Sequence, residues 1–132
     1  MQPAQITLAV DVQNTGSTTN LVLTRHEETV SRTTYITPSH TLITRDQVAL
    51  LRTPNKRNGA FYGSAKMAVR FTKDVTVAQS DGTETVAPLI GELSFSIPVG
   101  ATAAAVLELR QRLLAILDRD DVMDPLNNQL SI

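Results

Sequence analysis

Residues Arg45–Lys73 read RDQVALLRTPNKRNGAFYGSAKMAVRFTK, and the way this stretch is parsed decides the fold. Val48-Ala49-Leu50-Leu51-Arg52-Thr53 is an apolar run that stops at Pro54, a residue that cannot donate to a strand ladder. Asn55-Lys56-Arg57-Asn58-Gly59 is turn chemistry, with Asn-Gly suited to positive φ. From Gly63 to Phe71 the residues alternate: Ser64, Lys66, Ala68 and Arg70 fall on one face, and Ala65, Met67, Val69 and Phe71 on the other. That period of two marks a strand with one wet and one packed face. The stretch is therefore two strands joined by a basic turn. It holds seven of the chain's twelve Lys and Arg and a single acid, Asp46, for a local charge of +6 in a chain of net charge −1. Clustered positive charge on a near-neutral domain favours a polyanion partner. On charge alone, a solvated hairpin with ordinary surface bases accounts for the same letters equally well.

Upstream, Gln5 to Val12 alternates with Ile6, Leu8, Val10 and Val12 on one side. Asn14-Thr15-Gly16-Ser17 is a turn, and Thr19 to Thr24 resumes extended character, giving an N-terminal β-hairpin. Arg25-His26-Glu27-Glu28 reads as a polar bend, Thr29 to Thr37 as a third strand, and Pro38-Ser39-His40 as its break. Downstream, Val75-Thr76-Val77 either continues the basic strand or begins a loop, and Ser80-Asp81-Gly82-Thr83 is a turn. Leu89 to Pro98 alternates again, with Leu93, Phe95 and Ile97 packed and Glu92, Ser94 and Ser96 wet. The pattern then switches to helical spacing. Thr102 caps a helix from about Ala103 to Leu117, with Val106, Leu109, Leu113, Ile116 and Leu117 on one stripe. A short second helix is expected after it, capped by Asp121 or Asp124 and with Pro125 in its first turn. Val122, Met123, Leu126, Leu130 and Ile132 make one side of that tail apolar.

The 132 residues suggest one domain, 42% hydrophobic but only 4% aromatic and without tryptophan, so its core is aliphatic and thin. There is no cysteine, which rules out disulfides and thiolate metal sites. No apolar run approaches a membrane span, and the N-terminus lacks a signal-peptide layout, so a soluble, intracellularly made protein is expected. His26 and His40 lie on separate bends and make a poor metal site, and Ser39, His40 and Asp46 lack the context of a catalytic triad. No enzyme, cofactor or metal centre is expected. Packing raises a further point. A 15-residue helix is about 22 Å long and cannot cover six strands, so two chains are expected to finish burial together.

In order and length the chain resembles the coat proteins of the single-stranded RNA bacteriophages (levivirus type). The letters that carry the resemblance are the basic turn TPNKRNGAFY, the strand end LSFSIP with an Ala-Thr helix entry, and the tail LLAILDRDDVMDPLNNQL. The resemblance covers nearly the whole chain and implies an α+β fold. That fold has an N-terminal β-hairpin (1–28), a five-stranded antiparallel meander sheet (29–98) and two C-terminal α-helices (101–132) packing across an intertwined homodimer. It also implies assembly of dimers into an icosahedral capsid and packaging of a single-stranded RNA genome on the inner sheet face. Translational repression through an RNA operator hairpin is a further family role. Family RNA-contact positions fall on Val48, Leu50 and Arg52, on Tyr62, Ser64, Lys66 and Ala68, and on Ile90 and Glu92. Lys56, Arg57 and Arg70 join them by charge. Ala78, Gln79, Ser80, Asp81, Gly82, Thr83 and Glu84 correspond to the loop between dimers, a segment that could equally be a plain exposed turn. The family's base-stacking tyrosine and neighbouring asparagine are replaced by Ile90 and Glu92, so charge contacts from Arg52, Lys66 and Arg70 are expected to outweigh base readout. Tyr62 is expected either to stack on RNA or to pack in an interface. Two other readings remain: a small dimeric RNA-binding regulator that does not assemble, and a helix-on-sheet interaction module with no nucleic-acid partner.

Overall fold

The computed structural model describes residues 2–130, and side chains as far as Leu126. Leu130 as an apolar side chain, and Ile132 altogether, lie outside the described residues. The elements are β1 (Gln5–Val10), β2 (Thr19–Glu28), β3 (Arg32–Ile36), β4 (Asp46–Thr53), β5 (Ser64–Ala78), β6 (Glu84–Pro98), α1 (Ala103–Leu117) and α2 (Asp120–Leu130). All six strands form one antiparallel sheet in sequence order. Two of them are the N-terminal hairpin, so four strands follow it where five were expected. Of the two readings open for Val75-Thr76-Val77, the strand is the one found: the segment continues β5, which runs unbroken for 15 residues against a β6 of equal length.

Local chemistry explains the other departures. Arg25–Glu28 is strand, not a bend. His26 is the extra residue of a bulge between Arg25 and Glu27, which lets β2 stay paired with β3. The third strand starts at Arg32 rather than Thr29, because Thr29 closes a turn: its N–H donates to the Arg32 carbonyl at 2.7 Å and its hydroxyl accepts from Arg32 N–H at 3.1 Å. Asn14 and Gly16, at φ 54° and 89°, carry the hairpin turn, and the Asp11 carboxylate caps the N–H groups of Thr15 and Gly16 at 2.9 and 2.7 Å. Thr102 caps α1 as expected, accepting from Ala105 N–H. α2 begins earlier than expected, with Asp120 and Asp121 in its first turn, where the helix dipole favours acids. Pro125 consequently sits inside the helix rather than in its first turn.

The apolar face of the sheet carries the core. Tyr35, Leu23 and Val48 are buried together, with Ile6, Leu8, Leu21, Leu50 and Val69 packed around them. The Tyr35 hydroxyl donates to the Pro3 carbonyl at 2.7 Å, which draws the N-terminal segment over the strands. Toward β5 and β6 this face is less covered: Met67 is 49% exposed and Phe71 42%. The helices do not close it. α1 has no buried residue; of its expected stripe, Val106 and Leu113 are half-buried while Leu109, Ile116 and Leu117 are exposed. The helical arm is fastened to the sheet at the hairpin turn, where the Asn14 amide donates to Asp120 at 2.6 and 2.7 Å. Among the described residues no helix is long and apolar enough to cross a membrane.

One glycine is indispensable to the basic turn. Gly63 sits at φ 86°, and a Cβ there would lie 2.1 Å from the Lys56 carbonyl oxygen. Gly82, also at φ 86°, has open space around it. Gly63→Ala should therefore lower stability by at least about 2 kcal/mol, and Gly82→Ala by about 1 kcal/mol. Chemical denaturation of the two variants would show equal losses if the close approach to Lys56 were unimportant.

Candidate nucleic-acid interface

Strand pairing sorts the basic stretch into faces, because residues opposite one another in a ladder share a side. Four rows cross the polar face. Thr53, Lys66 and Ser96 form the first, and Arg32, Leu51, Ala68 and Ser94 the second. Thr34, Ala49, Arg70 and Glu92 form the third, and Ile36, Gln47, Thr72 and Ile90 the fourth. Ser64 shares this side at the start of β5, opposite Pro98. Between the first two rows lies a shallow groove whose lining includes Leu51, Thr53, Lys66, Ala68, Ser94 and Ser96. It offers three hydroxyls and one ammonium, which suits sugar and phosphate contacts.

Lys66, Ala68, Arg70, Ser64, Ile90 and Glu92 thus share a face, as the alternation of β5 suggests. Val48, Leu50 and Arg52 do not join them. They stand opposite Phe71, Val69 and Met67, on the apolar side. Val48 is buried in the core, and Leu50 packs against it. The physical reason is parity: Thr53, not Arg52, faces Lys66 across the turn. The residues that β4 actually presents to the polar face are Gln47, Ala49, Leu51 and Thr53. Arg32, exposed on β3, completes that face and has no counterpart among the residues expected from sequence. Its only sequence signal was a charged residue in a Thr-rich run, and its side could be assigned only with the pairing in hand.

Arg52 has a structural task instead. Its guanidinium donates to the carbonyls of Val30 and Thr29 at 3.0 and 2.6 Å and to the Thr33 hydroxyl at 2.8 Å. It thereby pins the β2–β3 turn to β4. Arg70 is also engaged, pairing with Glu92 at 2.7 Å across the β5–β6 ladder. Both partners are about half exposed, so the pair contributes about 0–1 kcal/mol; its main effect is to neutralise the acid on this face. Lys66 takes part in none of the ion pairs among the described residues.

The β4–β5 turn holds Lys56, Arg57 and Tyr62, all exposed. In the expected loop from Ala78 to Glu84, Ala78 and Glu84 are the last pair of the β5–β6 ladder, and the turn between them, Gln79 to Thr83, is ordered by its own side chains. Asp81 accepts from the Thr83 hydroxyl and N–H at 2.6 and 3.0 Å, and these bonds hold its carboxyl below the usual carboxylate range. At the opposite end of β4, Arg45 binds Asp74 through its guanidinium at 3.2 Å and its backbone N–H at 2.8 Å. Those bonds depress the Asp74 pKa below its ordinary value of 3.8. No cluster of three metal-ligating side chains occurs among the described residues.

Compared with solved structures, the chain aligns over 96% of its length with the virus-like particle of bacteriophage AVE019, covering 95% of that chain at TM-score 0.75 and 21% identity. It aligns over 100% of its length with the virus-like particle of Beihai levi-like virus 21, covering 98% of that chain at TM-score 0.72 and 7% identity. It matches the capsid protein of bacteriophage GA over 95% of its own length and 93% of that chain, at TM-score 0.60 and 17% identity. The chain has a phage coat-protein fold. No family model and no curated protein sequence matches it, so the coat-protein architecture is visible here in three dimensions far more clearly than in letters.

Two outcomes follow from the ionic contacts. Arg52→Lys loses the planar fork that reaches three acceptors and should destabilise the folded chain by about 1–3 kcal/mol in urea unfolding. An unchanged midpoint would show that the three contacts are dispensable. Asp74→Asn should lower stability at pH 7. A carboxylate with a depressed folded pKa stabilises above its unfolded pKa and loses that effect as pH falls through the folded one, so wild type and variant should converge in acid, below about pH 4.

Proposed function

We propose that this chain is the coat protein of a single-stranded RNA phage, dimerising and assembling into a closed shell around RNA. The observation that carries the reading is the unfinished burial of a single chain: α1 presents an apolar stripe with no buried residue, beside an apolar sheet face where Met67 and Phe71 stay open. A second copy, paired edge to edge through β6, would extend the sheet to twelve strands and bring its helices across the open face. The likeness to particle-forming proteins over nearly the full chain supports the same assembly. In this reading the β5–β6 turn, Ala78 to Glu84, makes contacts between dimers. The protein resides in the virion after synthesis in the cytoplasm of a bacterial host, and it acts structurally rather than as an enzyme.

The polar face is the surface we assign to RNA. Lys66 and Arg32 supply charge beside the hydroxyls of Thr53, Ser94 and Ser96. Ile90 offers no ring to stack on, and Glu92 is occupied by Arg70, so general packaging is favoured over a tight operator pocket. Expressed alone, the protein should purify as closed particles under electron microscopy, carrying RNA with a nucleic-acid absorbance. Lys66→Glu should leave the particles intact and lower their RNA content severalfold. A discrete dimer of about 29 kDa, twice the 14.3 kDa chain, that retains RNA would instead indicate a non-assembling regulator. A dimer without RNA even at about 50 mM salt, where counterion release favours binding, would remove nucleic acid from the function.

A further inference from the structure

The β4–β5 turn is more ordered than a solvated basic loop needs to be. Asn58 and Phe61 exchange backbone hydrogen bonds at 2.9 and 3.2 Å around Gly59-Ala60. The Asn55 amide donates to the Tyr62 carbonyl at 2.7 Å, and Val99 N–H donates to the Gly63 carbonyl at 2.9 Å, tying the turn to the end of β6. Gly63 rests against the Lys56 backbone at a distance no side chain allows. This framework holds two aromatic side chains in water: Phe61 and Tyr62 are each 55% exposed. The Arg57 guanidinium lies over the Tyr62 ring, 5.1 Å from its centroid, and its Nε donates to the Gly59 carbonyl at 3.1 Å. An exposed aromatic residue normally gains by burial. Here the backbone is braced so that one ring stays open beside two bases.

We propose that this turn is a stacking platform for unpaired nucleobases, with Tyr62 as the surface, Arg57 fixing its orientation from one side, and Lys56 and Arg57 holding the adjoining phosphates. A ring, a guanidinium and a basic loop form the combination that binds single strands without reading sequence. The platform stands at the end of the polar face where Thr53, Ser64 and Ser96 lie, so a strand leaving the Lys66 groove reaches it directly. The site takes single-stranded RNA in preference to duplex, whose bases are already stacked. It rests on the RNA-binding reading above and adds the element that the sheet itself lacks, since Ile90 offers no ring there.

The chain provides its own reporter. It has two tyrosines and no tryptophan, and Tyr35 is fully buried with its hydroxyl bonded to Pro3. In the full chain carrying Tyr35→Phe, emission therefore comes from Tyr62 alone. Titration with an unstructured oligouridylate should quench it, whereas inorganic polyphosphate of equal charge should not. Tyr62→Leu should bind the oligouridylate about tenfold more weakly, and Tyr62→Phe should bind it as wild type does. Oligouridylate binding with unchanged emission, equal quenching by polyphosphate, or undiminished binding by Tyr62→Leu would each overturn the platform. If those results came with binding still lost in Lys66→Glu, the polar-face reading would stand without it. A wild-type chain that binds no RNA at low salt would overturn both.

Discussion

The register of β4 on β5 is the constraint on which the rest of the sheet depends. Thr53 faces Lys66 across a turn of ten residues, and from that pairing every later assignment follows down to Asp46 opposite Lys73. A shift of one residue would carry Arg52 to the polar face and Thr53 to the core side, and would break the three hydrogen bonds by which Arg52 holds the β2–β3 turn. The turn itself enforces the register. Gly63 can approach the Lys56 carbonyl only without a side chain, so the loop has one way to close. Sheet geometry and surface charge are thus set by the same few atoms.

This constraint also explains what the sequence disclosed and what it withheld. β5 alternates strictly, so the common side of Lys66 and Arg70 could be read from letters. β4 carries Val48-Ala49-Leu50-Leu51, apolar on both sides, and has no parity to read. Resemblance to a known family then grouped Val48, Leu50 and Arg52 with Lys66, a side that the ladder does not give them. The helix from Ala103 to Leu117 was legible in full because its cap, Thr102, and its stripe agree. The bulge at His26 was not, because an extra residue in a ladder leaves no mark beyond a polar patch that equally describes a bend. Likewise, Val75 to Val77 could only be recognised as strand once β6 was seen to begin at Glu84 and pair with it throughout.

Burial argues for a partner more firmly than charge does. A helix with no residue buried gains only part of what its apolar side chains could contribute, since hydrophobic side chains at full burial are each worth about 1.5–3 kcal/mol. Leu107, Leu109, Leu114, Ile116 and Leu117 are all left between 40% and 52% exposed. A chain with so few aromatics and so small a buried core has little stability to forgo. The long paired arm of β5 and β6 offers the complementary feature: an outer edge of 15 residues with a free row of backbone donors and acceptors, which is a liability unless another strand meets it. The two unmet needs are neighbours along the chain, since β6 ends at Pro98 and α1 begins at Ala103.

Charge acts within tighter limits than a local excess of +6 suggests. Arg52 is spent on backbone carbonyls, Arg70 on Glu92, and Arg45 on Asp74. Each of these contacts removes a base from the pool that could meet phosphate. Of the seven bases in that stretch, Lys56 and Arg57 in the turn and Lys66 and Lys73 on β5 remain outside these contacts, and Arg32 on β3 joins Lys66 on the polar face. Few free bases per chain mean shallow salt dependence for one subunit and a steep one only where many subunits act together. On the function proposed above, a surface of this kind would hold RNA weakly as a single dimer and firmly as a lattice, so that retention of the nucleic acid and completion of the shell would become one event.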